Sequence, residues 1–453
     1  MRAIRPFHNR SRCAARHFAI VVLSYGVGVA NTPFAHSQEL LPNLPVTASE
    51  GAPTPPQPNQ LTLEECYQLA LKRSETIAIQ REMLEEAQGR FMQALSGILP
   101  RASFVLSERR QDGSGESAFT LRRVPEQRFT FSQPLFGGFK EFAAMAGTKA
   151  ERRQRVHEKE RTEQLLLTDV SDTFYLLFEQ REDLYVLETI RTTLAQRIDE
   201  LREREQLGRS RTSEVVSAEA QLRRIEAEIE RVQIQETIAR QLLEFLTGLD
   251  QVDGIQDVAA TLIPSPLDQE DMYMRQAAAR PDVLAAEEAW RVTQKLVTVS
   301  RARYWPTVNL EGNYYTERAG VSADIDWDAL LKVAAPLFQG GQAVGAVREA
   351  NSRARQAQLK FEQAQRRANL DARDAYSSLK GSLARYAALQ KALDAAEQDY
   401  RLELEDYQRR LISNLDVLQA LQTLQDARRD VIHARYETKR LYWALRTATG
   451  EGL

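Results

Sequence analysis

Between Pro134 and Pro264, and again beyond Pro336, the chain contains no proline, and within both stretches apolar residues recur every seventh position. Val170, Leu177 and Leu184 are spaced this way, as are Leu187, Leu194 and Leu201. The second stretch gives Leu379, Tyr386, Leu393, Tyr400 and Tyr407. A heptad sustained this long predicts coiled-coil packing of long helices. Residues 139 to 205 alone, at about 1.5 Å per residue, make a helix of about 100 Å, which no compact globular domain holds. Both runs break, near Leu207-Gly208 and near Arg410 to Ser413, and then resume through Val215, Leu222, Ile229 and through Val417, Leu424, Val431.

The two stretches belong to one repeat. Pro134-Leu135-Phe136 returns as Pro336-Leu337-Phe338, Gly138 as Gly340, Asp172 as Asp374, Val215 as Val417, Leu222 as Leu424 and Thr247-Gly248 as Thr449-Gly450, all 202 residues apart (336 minus 134). Upstream, Leu99-Pro100 answers Trp305-Pro306 at 206 (306 minus 100), so the segment between has lost about four residues in the second copy, as a surface loop tolerates. Residues 61–98 and 267–304 read as helices stopped by Pro100 and Pro306. Strand character follows over Ala102–Glu108 and Gln127–Ser132, then over Thr307–Thr316 and Trp327–Ala334. Polar, glycine-bearing loops over Gln111–Glu116 and Glu317–Asp326 separate the strands. Pro134, Gly137 and Gly138, with Pro336, Gly340 and Gly341, mark the returns from strand to helix, where conformational freedom explains glycine better than anion binding does. The repeats span 61–250 and 251–450.

Charged residues make up 27% of the chain and mean hydropathy is -0.45, which excludes a bundle of membrane helices, so entry into a membrane must use strands. A net charge of -3 with interleaved signs argues against nucleic-acid binding. Residues 1–37 have the form of a secretory signal: arginines, an apolar run from Phe18 to Ala30, and Ala35-His36-Ser37. A proline-rich tether is expected over 38–60. Cys13 falls within the signal, leaving Cys66 without a disulfide partner and suited to apolar packing. The five histidines show no metal-ligand spacing, and nothing suggests a cofactor or catalysis.

Four amphipathic strands cannot close a barrel, and an open edge is not tolerated in lipid, so other copies must complete the sheet. Three copies give twelve strands; two or four are equally permitted by this argument.

Leu61-Thr62-Leu63-Glu64-Glu65 opening the first helix, helices ending in Leu-Pro or Trp-Pro before the strands, the Pro-Leu-Phe and glycine return, the doubling, and Tyr407 followed by Ser413, Asp416-Val417-Leu418 and Ala420 together resemble the TolC family of outer-membrane efflux proteins. The resemblance covers residues 61–450. It implies a mainly α fold with a small β part: a long coiled-coil α-barrel plus four strands per chain in a trimeric, twelve-stranded transmembrane β-barrel. It also implies an outer-membrane channel of a tripartite efflux pump or type I secretion system. Such a homotrimer would sit in outer-membrane lipid with a long periplasmic portion closed at its inner end, and dock onto a periplasmic adaptor and an inner-membrane pump. The cargo stays open. Carried across by position, Asp416 falls on a ring acid of the pore constriction, Tyr407 on a latch tyrosine, and Glu214 on the acid receiving that latch. Gln419 stands where a second ring acid is usual, and Ile412 where the latch base would be; Arg409 or Arg410 would have to supply that charge. Asp416 and Glu214 also fit a first-turn capping role. Of the rival readings, a periplasmic adaptor would interrupt its hairpin with several β-rich domains, and a coiled-coil scaffold without a pore would stay in the soluble periplasmic fraction where a barrel needs detergent.

Overall fold

The computed structural model describes residues 60–257, 267–409 and 411–453. The expected signal sequence, nearly all of the tether, and Arg410 lie outside the described residues. A two-residue strand β1 (Gln60–Leu61) leads into α1 (Leu63–Arg73) and α2 (Glu75–Ser96), then β2 (Arg101–Arg110), β3 (Arg123–Phe136), α3 (Lys140–Gln206) and α4 (Thr212–Thr247). The order then recurs: β4 (Gly254–Ile255), α5 (Glu270–Ala277), α6 (Pro281–Arg301), β5 (Thr307–Arg318), β6 (Trp327–Ala334), α7 (Gln342–Gln408) and α8 (Asn414–Thr449). Both long helices have 67 residues and both helices that follow them have 36, so the doubling seen in the sequence is a doubling of structure.

Local chemistry fixes the starts. Thr62 caps α1 reciprocally with Glu65, whose carboxylate accepts from the Thr62 N–H at 2.9 Å while the Thr62 hydroxyl accepts from the Glu65 N–H at 3.3 Å. Pro281 opens α6 at a position whose N–H has no helical partner. β1 pairs parallel with β4, tying the entry of one repeat to that of the other.

The four long strands form one antiparallel sheet in the order β2-β3-β5-β6. One face is apolar: Phe104 pairs with Phe129 and Tyr314 with Trp327, all exposed in the single chain. The other is polar, with Thr130 donating to Asn313 and Asn313 to Asp328, both at 2.9 Å. β6 has the expected bounds. β2 and β3 run further than expected because Glu108, Arg110 and Arg123 continue the ladder through ion pairs at 3.0–3.1 Å, where no apolar alternation marks a strand.

One expectation is corrected. Pro134 is not in a turn: it lies within β3, opposite Asn309 at a register shift before Phe136, and a residue without an N–H fits such an irregular ladder position. The return proper is Gly137 to Phe139, where Gly138 (φ 69°) and Phe139 (φ 64°) are left-handed. In the second repeat Pro336 follows β6, and Gly340 (φ 56°) and Gly341 (φ 86°) make the return.

Next to the sheet the helices lie side by side as α2-α3-α6-α7, and farther away as α4-α3-α8-α7. Two apolar clusters run along α3. Phe174, Tyr175 and Leu177 join α1, α4 and α8 through Cys66, Leu243 and Trp443, while Leu187 to Leu201 pack on Val215, Val232, Leu418 and Leu421. Cys66 is fully buried, and burial pushes its thiol up to about 12, so it acts as packing and not as a nucleophile.

The two returns should respond differently to a methyl group. A Cβ on Gly138 would lie 2.8 Å from the Trp305 Cβ and 3.0 Å from the Ala302 carbonyl oxygen, whereas one on Gly340 meets nothing within 4 Å. Gly340→Ala is expected to cost about 1 kcal/mol, the left-handed penalty alone, and Gly138→Ala about 2–4 kcal/mol, compared by denaturant unfolding in detergent.

Candidate functional site

The far ends of the two long hairpins carry the residues singled out in the sequence. α3 stops at Gln206 and turns through Gly208 (φ 68°), with Arg209 N–H donating to the Arg204 carbonyl at 2.7 Å. The second hairpin turns equivalently, Leu411 N–H donating to the Asp406 carbonyl at 2.9 Å. Ser413 then caps α8: its N–H and hydroxyl both donate to one carboxylate oxygen of Asp416, at 2.9 and 2.7 Å. Those bonds hold the Asp416 carboxyl below its ordinary range. Asp416 and Gln419 are both exposed; Gln419 also lines a groove of about 480 Å³ between α4 and α8 with Ser217, Gln221 and Arg224.

Tyr407, on the last turn of α7, is buried, and within the chain its ring lies against α3. The Arg197 guanidinium lies over its ring at 4.1 Å and that of Arg204 at 5.0 Å. Glu214 is held within its own turn, accepting from the Ser210 hydroxyl at 2.6 Å. Arg409 leans on Glu405 and Asp406 at 3.7 and 3.8 Å, one turn back on its own helix. The cation beside the tyrosine therefore comes from α3. Arg197 also donates twice to the Asn414 side-chain oxygen, at 3.1 and 3.0 Å, so one guanidinium grips the end of α7 and the start of α8 together. Reading along the chain missed Arg197, Arg204 and Asn414, because two of them lie some 200 positions away from Tyr407. The one available signal was the repeat itself, in which Arg197 answers the acidic Asp399.

Higher on α3 a charged network crosses to α8 and α4. Asp183, 1% exposed, takes both ends of the Arg429 fork at 2.6 and 2.9 Å, and Arg429 also reaches Glu228 at 2.8 Å. His433 meets Glu179 at 2.7 Å, Arg440 meets Glu179 at 3.0 Å, and the Tyr436 hydroxyl donates to Glu182 at 2.6 Å. Among the described residues no group of three or more His, Cys, Asp or Glu is placed to hold a metal ion, and no helix is long and apolar enough to cross a membrane.

Residues 273–451 match the sequence profile of the family described as outer membrane efflux protein. The match falls on the second repeat. Over 178 residues the chain is 25% identical to the cation efflux system protein CusC of Escherichia coli O157:H7 and 25% identical to nodulation protein T of Rhizobium leguminosarum bv. trifolii. Those alignments take in 38% of this chain and 39% and 38% of the two relatives, so the matched stretch spans well under half of either. The fold likeness to efflux proteins extends further. A crystal structure of CusC superimposes with a TM-score of 0.76 at 18% identity, over 86% of this chain and 92% of that one. The outer membrane protein VceC of Vibrio cholerae gives 0.73 at 21%, over 86% and 96%. The likeness in fold thus takes in both repeats, although the family match in sequence falls on the second.

Two outcomes test this geometry. Arg197→Ala should free both helix ends, speeding amide hydrogen exchange in the first turn of α8 about 30-fold, equivalent to about 2 kcal/mol, with Arg197→Lys intermediate. His433 has its pKa raised from 6.5 by the hydrogen bond its imidazolium donates to Glu179, with Asp183 adding to it and burial and Arg429 opposing. A raised folded-state pKa means the stabilisation is complete below 6.5 and fades as pH rises through the raised value. The gap in unfolding midpoint between wild type and His433→Gln should therefore shrink as pH is raised.

Proposed function

We propose that the chain is the outer-membrane component of a tripartite efflux pump or type I secretion system, a passive conduit assembled from three copies. The observation that carries this reading is that both flanks of the protomer are open, and open at every level. One flank presents β2, α2 and α4; the other presents β6 and α7. A sheet edge in lipid leaves backbone donors and acceptors unpaired, a cost the bilayer core does not allow, so β2 of one copy pairs with β6 of the next and the ring closes. Three copies supply twelve strands, with Phe104, Phe129 and Phe131 toward lipid and the Thr130, Asn313 and Asp328 rung toward the lumen.

The helices continue this ring into the periplasm for about 100 Å. Docking at the far end onto a periplasmic adaptor and an inner-membrane pump follows from the family likeness. The relative CusC carries "cation efflux" in its name; this chain's cargo is whatever its pump delivers. At the far tips, exposed Asp416 carboxylates repeated about one axis concentrate cations and repel one another, while Gln419 contributes no second charge. Asp416 caps α8 at the same time, and the two roles are compatible. Tyr407, gripped by α3, holds the second hairpin against the first.

The protein should leave the outer membrane only with detergent, sediment as a trimer, and form cation-preferring pores in planar bilayers. Asp416→Ala is expected to lower that preference. A soluble, monodisperse monomer would overturn the channel reading and favour an adaptor or scaffold.

A further inference from the structure

The repeat relates not only residues but registers. Within the first hairpin Arg181 of α3 meets Glu236 of α4 and Arg202 meets Glu219; within the second, Arg385 of α7 meets Glu437 of α8 and Glu397 meets Arg428. Shifted by the repeat spacing of 202, the first pair falls on 383 and 438, within a turn of 385 and 437, and the second on 404 and 421, two turns along but in the same antiparallel register as 397 and 428, so the hairpins are equivalent in packing. The chain also contains one seam between hairpins, α3 against α8. Its equivalent, α7 against α4, cannot form inside the chain, because those helices lie on opposite flanks.

We infer that the seam between neighbouring copies is α7 against the next copy's α4, in the register in which α3 meets α8 within the chain. This rests on the channel reading and goes beyond it, because it names which residues meet. The Thr168 hydroxyl donates to the Thr447 hydroxyl at 3.0 Å, and the equivalent pair is Leu370 with Phe245. Glu182 with Tyr436 becomes Ala384 with Ile234, and Glu179 with Arg440 becomes Gly381 with Ile238.

The side chains at these positions fit one another. Phe245, Ile234 and Ile238 are 75%, 61% and 57% exposed in the single chain and form a stripe on the face of α4 turned away from its buried Val232, Ala239 and Leu243. On α7, Gly381 and Ala384 are small and exposed, and a Cβ on Gly381 would meet nothing within 4 Å. Large apolar side chains on one flank thus face recesses on the other at matching heights, while Leu370, 48% exposed, gains an apolar neighbour in Phe245. At these three heights the seam within the chain is polar or charged and its counterpart between chains is apolar, so the two surfaces are not interchangeable there.

The test is paired cysteines in the full-length protein, whose own Cys66 is fully buried and will not compete. Phe245→Cys with Leu370→Cys should give covalent oligomers on non-reducing denaturing gels after mild oxidation. Ile238→Cys with Leu370→Cys, about 10 Å out of register, should not. Separately, Gly381→Leu should keep its helical circular dichroism yet lose assembly. Cross-linking by the shifted pair alone, or by neither pair in an assembly that still conducts ions, overturns the register and leaves the channel intact. Normal assembly of Gly381→Leu also overturns it. A wild-type protein that never assembles overturns the channel reading itself.

Discussion

A helix of 67 residues in a folded protein takes most of its stability from packing against neighbours along its length. That requirement organises this protein. α3 lies between α2 and α6 near the sheet and between α4 and α8 farther out, so its buried face must change direction part-way. The apolar clusters record the change, with Phe174, Leu177 and Leu187 fully enclosed while Leu165 and Tyr185 stay exposed on the same helix. Its copy α7 has neighbours on one side only, and its buried residues are mostly alanines. The same sequence plan therefore yields one interior helix and one flank helix, and that asymmetry gives the protomer its two edges.

The helices, the breaks and the doubling were legible in the amino-acid sequence through the heptads, the prolines and the offset of 202 residues (336 minus 134). These are local or strictly periodic signals, and each follows from a backbone rule. The partners at the tips were not legible. Tyr407 was visible as a latch tyrosine, with Glu214 as its acid and Arg409 or Arg410 as the nearby bases. The guanidinium that lies over its ring within the chain comes from α3, where only tertiary packing could put it. Asp416 was readable in its capping role because a serine three residues before an acid is a local pattern; whether it also faces an axis is a property of several chains.

The charged seam was missed for a related reason. Glu179, Asp183, Arg429 and His433 look like a solvated face when each helix is read alone, yet Asp183 is as buried as the leucines around it. Buried ion pairs add little net stability over an apolar substitute, but an unpaired member costs several kcal/mol, roughly 3–5. Their effect is to make misregister expensive. A slide of α8 along α3 by one turn would strand Asp183 without Arg429, whereas an all-leucine seam would tolerate it.

The order in which the chain is made meets a further consequence of this interleaving. α8 is the last helix, and it fills the space between α3 and α7. Trp443 closes on Tyr175, and Arg161 and Gln164 reach the carbonyls of Thr447 and Gly450 at 2.8 and 2.6 Å. Nothing synthesised earlier can take that place, so α3 keeps an uncovered apolar side until α8 arrives. A polypeptide delivered amino-terminus first thus stays short of its folded form until α8 has been delivered, and truncation within α8 should be far more damaging than the loss of as many residues from an exposed loop.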